Sequence, residues 1–328
     1  MILPFLPFFL LQIVCAVAPE IIFKKGCEPI EMSENKIFLD VRVSGASHKF
    51  DIDIGKSEST FQFAAAKPDG EFSIGNQLFS GRSVLYKRED TFCQTGQNGN
   101  LGYEFFRRSQ QIFLFDFDAL TLCNIDGQDL SAYFDQHYTP IDADFRKNGI
   151  YIPILIKWKV YKVKLDTGYT GSVFINNSAA EPFIKEPSRT YNSLGGNFSV
   201  YPNKWITLGK HYYNSSIEVS DKGDSCLGMG FIKGFNWIID FNRHKVYFKK
   251  NGNSLDAQNI FPPQYSVSLA KGKLVITSKA EKATKYQLGD IISSVNGTAV
   301  TGENICQIKG FFHTVKNWGD QQIQVTDR

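Results

Sequence analysis

The chain has 328 residues, a mass of 37.0 kDa and 36 Lys+Arg against 33 Asp+Glu, a formal net charge of +3. With 42% hydrophobic and 21% charged residues it can bury enough apolar surface to offset the entropy of ordering, so disorder as the main state is excluded; the length allows two or three domains. The small, evenly spread positive excess gives no phosphate-binding groove, so no nucleic acid is expected, and the 28 Phe and 14 Tyr lean the chain towards sheet.

Residues 1–19 carry no charged side chain, and the apolar run Pro4–Val14 is followed by Ala16-Val17-Ala18, a small-x-small pattern. This predicts a signal peptide over 1–18 and an exported protein, periplasmic or extracellular. The run is short for a membrane span and is interrupted by Pro4 and Pro7, so a membrane is a partner only if the segment stays uncleaved. Loss of Cys15 would leave Cys27, Cys93, Cys123, Cys226 and Cys306, an odd number. No C-x-x-C or paired Cys/His spacing is present, so no metal is expected, and Cys93 with Cys123 is the one pair singled out for a disulfide.

The organising feature is an internal repeat. Lys49-Phe-Asp-Ile-Asp53-Ile54-Gly55 aligns without a gap, at an offset of 113 residues, with Lys162-Val-Lys-Leu-Asp166-Thr167-Gly168. The match extends back through Ile37–Val43 and Ile150–Ile156, so each copy reads as a strand, a short polar turn and a second strand ending in Asp-x-Gly. A second landmark recurs: Leu101-Gly102 precedes Ile112–Asp116, and Leu227-Gly228 precedes Trp237–Asp240. Short helices are expected after each Leu-Gly. Beyond the polar stretch Lys249–Ser254 a smaller α+β unit is predicted, with strands at 266–269, 273–278 and 322–325. It also has an Asn296-Gly297 turn and a helix through Ile305, Ile308, Phe312 and Val315.

One Asp-x-Gly in each of two similar halves suggests a pseudo-twofold site. Two carboxylates brought to one axis cannot both ionise cheaply and share a proton, which is the arrangement for acid–base hydrolysis without metal or covalent intermediate. A hydroxyl at x can tie the two loops together across the axis. Asp53 and Asp166 are therefore the candidate catalytic residues, and Ile54, Gly55, Thr167 and Gly168 their loop. No H-E-x-x-H or G-x-S-x-G pattern is present, and Gly228-x-Gly230-x-x-x-Gly234 lacks the spacing of a dinucleotide loop.

Val163-Lys-Leu-Asp166-Thr167-Gly168, Ile206-Thr-Leu-Gly209 and Cys226-Leu-Gly228-Met-Gly-Phe-Ile resemble the retropepsin-like aspartic protease family. Gly289-Asp290-Ile-Ile and Asn296-Gly297 resemble the equivalent stretch of PDZ domains, as in bacterial exported members with a C-terminal PDZ-like domain. The resemblance implies a mainly β protein: an N-terminal retropepsin-like β-barrel lobe over 19–140 and a C-terminal one over 141–252, forming a pepsin-like bilobal unit. A PDZ-like domain over 258–328 would complete the chain. It further implies an aspartic endopeptidase without cofactor, a peptide or protein substrate, and a PDZ-like unit that binds a peptide ligand or packs against the protease. Phe231 and Ile232 would lie in a helix beneath the Asp-Thr-Gly loop, and Gly75–Tyr86 and Tyr191–Trp205 would supply hairpins over the substrate. The chain departs from the family at Ile54, which lacks the hydroxyl, and at Lys56 and Tyr169, where a small residue is usual. Those departures keep two alternatives open: a catalytically silent pseudoprotease that binds peptides, and a single active lobe that works as a dimer.

Overall fold

The computed structural model describes residues 26–33, 35–43, 46–61, 71–74, 77–80, 85–86, 97–125, 127, 130–134, 137–176, 189–255, 264–315 and 318–326. The expected signal peptide, Cys15, Cys93 and the turns of the first hairpin segment Gly75–Tyr86 lie outside them. Among the described residues no helix is long and apolar enough to cross a membrane.

The architecture is mainly β, with two related lobes followed by a small α+β unit. In the first half the strands Lys36–Val43 and Ala46–Asp53 form an antiparallel hairpin, with Ile37, Leu39, Val41, Phe50 and Ile52 buried in the core. Gln97–Gly102 then runs parallel beside the second strand, placing Leu101 opposite Ile52 and Gly102 opposite Asp53. The second half repeats this topology. Gly149–Ile156 pairs with Lys159–Leu165, and Cys226–Leu227 lies parallel to the latter with Leu227 opposite Leu165. Each Leu-Gly is followed by a short helix, Tyr103–Ser109 or Met229–Ile232, as expected from the repeat.

The halves are joined by a sheet that both contribute to. Ile112–Asp116 pairs antiparallel with Phe235–Asp240, setting Phe113 opposite Ile239 and Phe115 opposite Trp237. The repeat extends to the strand ends: Asp116 Oδ1 accepts from the backbone N–H groups of Asp118 and Ala119, and Asp240 Oδ1 from those of Asn242 and Arg243. Phe106, Phe113 and Phe241 meet edge-on or stacked at ring distances of 5.2 to 6.3 Å, and the buried core runs continuously from one half to the other. At about 1.5–3 kcal/mol per fully buried large apolar side chain, this shared core holds the lobes in register.

Two expectations about linkages need correcting or completing. Cys123 pairs with Cys27, not with Cys93: the strand Gly26–Ser33 returns beside Thr121–Ile125 and puts Cys27 directly opposite Cys123. Cys306 is also disulfide-bonded, whereas Cys226 is a buried free thiol. The small unit has its own core around Tyr265, Ile276, Ile292, Phe312 and Trp318, a helix over Ile305–Thr314 and a tight turn at Asn296-Gly297 with φ of 50° and 80°. It is also joined to the second lobe by strand pairing. Arg189–Ser193 lies antiparallel to Lys273–Ala280, with Leu194 N–H donating to Thr277 O and Glu281 N–H to Thr190 O, both at 2.9 Å.

Candidate active site

Both Asp-x-Gly sequences sit where the second strand of a hairpin ends, and the two loops face each other. The Asp53 carboxyl lies over Gly168, and the Asp166 carboxyl lies over Gly55. A Cβ on either glycine would overlap the carboxyl group of the opposite half, so glycine is required here by close approach rather than by backbone conformation. Six residues that the sequence singled out, Asp53, Ile54, Gly55, Asp166, Thr167 and Gly168, are thereby brought to one place.

Each aspartate is held by its own loop in the same way. Asp53 Oδ1 accepts from the Lys56 N–H at 3.0 Å. Asp166 Oδ1 accepts from the Tyr169 and Gly168 N–H groups, each at 3.1 Å. Beneath each loop, the Leu-Gly segment supports the turn. Tyr103 N–H donates to Lys56 O and Met229 N–H to Tyr169 O, both at 2.8 Å, and side chains at Gly102 or Gly228 would overlap loop carbonyls. Phe231 and Ile232 lie buried in the helix under the second loop, as expected.

Across the axis the loops differ. Thr167 Oγ1, 1% exposed, donates to Ile52 O at 2.7 Å and accepts from Ile54 N–H at 3.0 Å, so one hydroxyl satisfies two backbone groups of the other half. Ile54 carries no hydroxyl to return this contact and instead enters the shared core. A second, different bridge is present: Lys164 Nζ donates to Gly55 O at 2.8 Å, with its side chain lying over Gly149. Lys56, which would have fixed Asp53 in its ionised form had it turned inward, is exposed and makes no ion pair with Asp53 among the described residues. Tyr169 turns its ring away from the loop into the second lobe, over Gly171 and Gly228, with its phenol facing Glu218.

The electrostatics of the second loop favour a proton on Asp166. Burial, and then the charge of Asp53, push Asp166 up from 3.8 to about 6, while Lys164 and the Tyr169 and Gly168 N–H groups pull the other way. Asp51, two residues before Asp53, is also pushed up to about 6 by burial, although Lys36 pairs with it at 3.0 Å. The sequence reading missed both Lys164 and Asp51. They occupy the same position of the repeat, 113 residues apart, and a charge immediately before each Asp-x-Gly strand end was the available signal. Among the described residues, no group of three or more His, Cys, Asp or Glu could hold a metal ion.

The second expected hairpin is present as Arg189–Ser193 and Phe198–Leu208, with Tyr191 stacked on Phe198 at 4.8 Å. Of the first, Glu71–Ile74 and Gln77–Ser80 form an antiparallel pair and Leu85–Tyr86 lies parallel to Thr60–Phe61, while residues 75–76 and 81–84 lie outside the described residues.

No protein-family model matches the chain, and no curated protein matches it. Among solved structures, it is similar to an aspartic proteinase from Irpex lacteus, with a TM-score of 0.47 and 13% identity over 70% of this chain and 98% of that one. It is similar also to conglutin gamma, a basic 7S globulin from lupine seeds, with a TM-score of 0.47 and 10% identity over 72% of this chain and 100% of that one.

Proposed function

We propose that the chain is an aspartic endopeptidase whose two lobes each supply one carboxylate of a single catalytic pair. The observation that carries this reading is the reciprocal seating of Asp53 over Gly168 and Asp166 over Gly55. Burial and the facing charge favour the shared proton on Asp166. The ionised partner would take a proton from water as its oxygen attacks the scissile carbonyl carbon, while the protonated carboxyl donates a hydrogen bond to the carbonyl oxygen. Collapse of the tetrahedral intermediate breaks the C–N bond, and the leaving amine takes up a proton from the pair. The substrate would lie extended between the lobes, bonded through its backbone. No cofactor is involved.

Export belongs to the same proposal. Its supports are the apolar segment 1–18 and the disulfide-bonded state of Cys27, Cys123 and Cys306, which suits an oxidising compartment. The division into lobes at 19–140 and 141–252 and a PDZ-like, peptide-binding unit at 258–328 is proposed on the sequence resemblance.

One observation favours a second reading. Ile54 leaves the grip across the axis one-sided, as a scaffold that binds peptides without cutting them would tolerate. Cleavage of a peptide library at pH 4 by the wild-type chain, and not by Asp166→Asn, is the expected result. Binding of the same peptides without cleavage would establish the silent reading instead.

A further inference from the structure

The second lobe carries an outer face that the fold leaves uncovered among the described residues. Four strands lie side by side at its far end: Lys159–Leu165, Gly149–Ile156, Phe198–Leu208 and His211–Ser220. The pairings Val160–Leu155, Leu155–Thr207 and Thr207–Tyr212 set four side chains in one row across them, because directly opposed residues share a face. Ile156 and Ile206, one position along, are buried in the core, so this row points outwards. Trp205 stands two residues from Thr207 on the same face, and Trp158 caps the adjoining hairpin turn. Trp158 is 92% exposed, Tyr212 71% and Trp205 63%, whereas the other two tryptophans, Trp237 and Trp318, are buried.

Charge is segregated to the same place. Residues 153–165 and 201–215 contain no Asp or Glu, and their hairpin turns carry Lys157 and Lys210 beside the row; Lys162, opposite Pro153 on the row's face, pairs with Asp144 at 3.5 Å. A groove of about 780 Å³ beside Leu155, Val160 and Thr207 extends the apolar floor; Lys210 and Lys245 line it along with one acid, Asp142. Exposed tryptophan and tyrosine set among lysines suit the boundary between water and acyl chains, where the rings lie at headgroup depth and the ammonium groups meet phosphate. A second copy of this chain would bring the same lysines face to face, which disfavours self-association.

We infer that this face docks the protein peripherally on a lipid surface bearing anionic headgroups. The strand Lys159–Leu165 leads from this face to Asp166, about 20 Å away at 3.3 Å per residue, so docking leaves the aspartate pair accessible. The inference does not depend on proteolysis.

The test is co-sedimentation of the full chain with vesicles, with tryptophan emission recorded in parallel. Binding is expected to vesicles of equal phosphatidylcholine and phosphatidylglycerol, with a blue-shifted emission, and not to phosphatidylcholine alone. The combined variant Trp158→Ser, Trp205→Ser, Tyr212→Ser should lose more than tenfold in partitioning. Lys157→Gln and Lys210→Gln should each lose about fivefold, all with unchanged circular dichroism. Equal binding by the combined variant, which would place the contact elsewhere such as in residues 1–18, overturns the inference. So does equal affinity for phosphatidylcholine, or a blue shift produced by raising the protein concentration without vesicles.

Discussion

The two Asp-x-Gly loops are built alike and tied together unlike. In both, the carboxylate accepts from the backbone N–H three residues on, and a Leu-Gly segment closes the turn from below. Across the axis, Thr167 bonds two backbone groups of the first half, while Ile54 returns nothing. The positions two residues earlier diverge as well. Lys164 reaches over the axis to Gly55 O, whereas Asp51 stays within its own half and pairs with Lys36. In the second half the place corresponding to Lys36 is Gly149, over which the Lys164 side chain lies. A charged pair in one copy has become a bridging cation and a space for it in the other. The comparison teaches that the symmetry of the site resides in the carboxylate–glycine packing, and that the ties around it are free to diverge.

The largest effect is expected where symmetry is strict. Gly55→Ala or Gly168→Ala must displace the opposite carboxyl, so each should abolish cleavage and lower stability by about 3 kcal/mol or more in urea unfolding. Normal activity in either would break the account of why glycine stands there. Next is the one-sided tie. Thr167→Val leaves Ile52 O and Ile54 N–H buried and unpaired and should cost about 2–4 kcal/mol, while Thr167→Ser should restore most of it.

The charged positions should give smaller, pH-dependent effects. Because the Asp51 carboxyl is raised from 3.8 to about 6, the folded state holds that proton more tightly than the unfolded state. The contribution of this group to stability is therefore fullest below about pH 4, falls as pH rises towards 6, and is level above. Asp51→Asn should remove this contribution, making the variant more stable than wild type at pH 7 by roughly 2–3 kcal/mol and equal to it near pH 4. Thermal unfolding across that range is the check. The smallest effect is at Lys164, which lowers the Asp166 value: Lys164→Met should move the alkaline limb of the cleavage profile, near pH 6 in wild type, to higher pH.

What the sequence made legible follows from how narrowly a site constrains residue type. Carboxylates that pack on glycines admit only Asp and Gly at those positions, so the repeat survived at Asp53, Gly55, Asp166 and Gly168 although its neighbours changed. The hairpins and the two Leu-Gly segments were equally readable, because alternation and helical spacing are local patterns. Cys27 opposite Cys123 was not, since that pairing arises from the first strand returning beside one 96 residues later. The reach of Lys164 to Gly55 and the strand pairing of 189–193 with 273–280 are likewise products of assembly. Even the charge, evenly spread along the chain, becomes a lysine-bearing face only when Leu155 and Thr207 pair and bring the acid-free segments 153–165 and 201–215 together.

The central claim is that one chain supplies both members of the pair. It is tested most directly by assaying Asp53→Asn and Asp166→Asn separately and then mixed, at pH 4, on a peptide cleaved by wild type. Both variants are predicted to lose at least about a thousandfold in kcat, as expected when either half of an acid–base pair is removed, and mixing them should recover nothing. Activity retained by Asp53→Asn would contradict the claim and assign catalysis to the second lobe acting as a dimer.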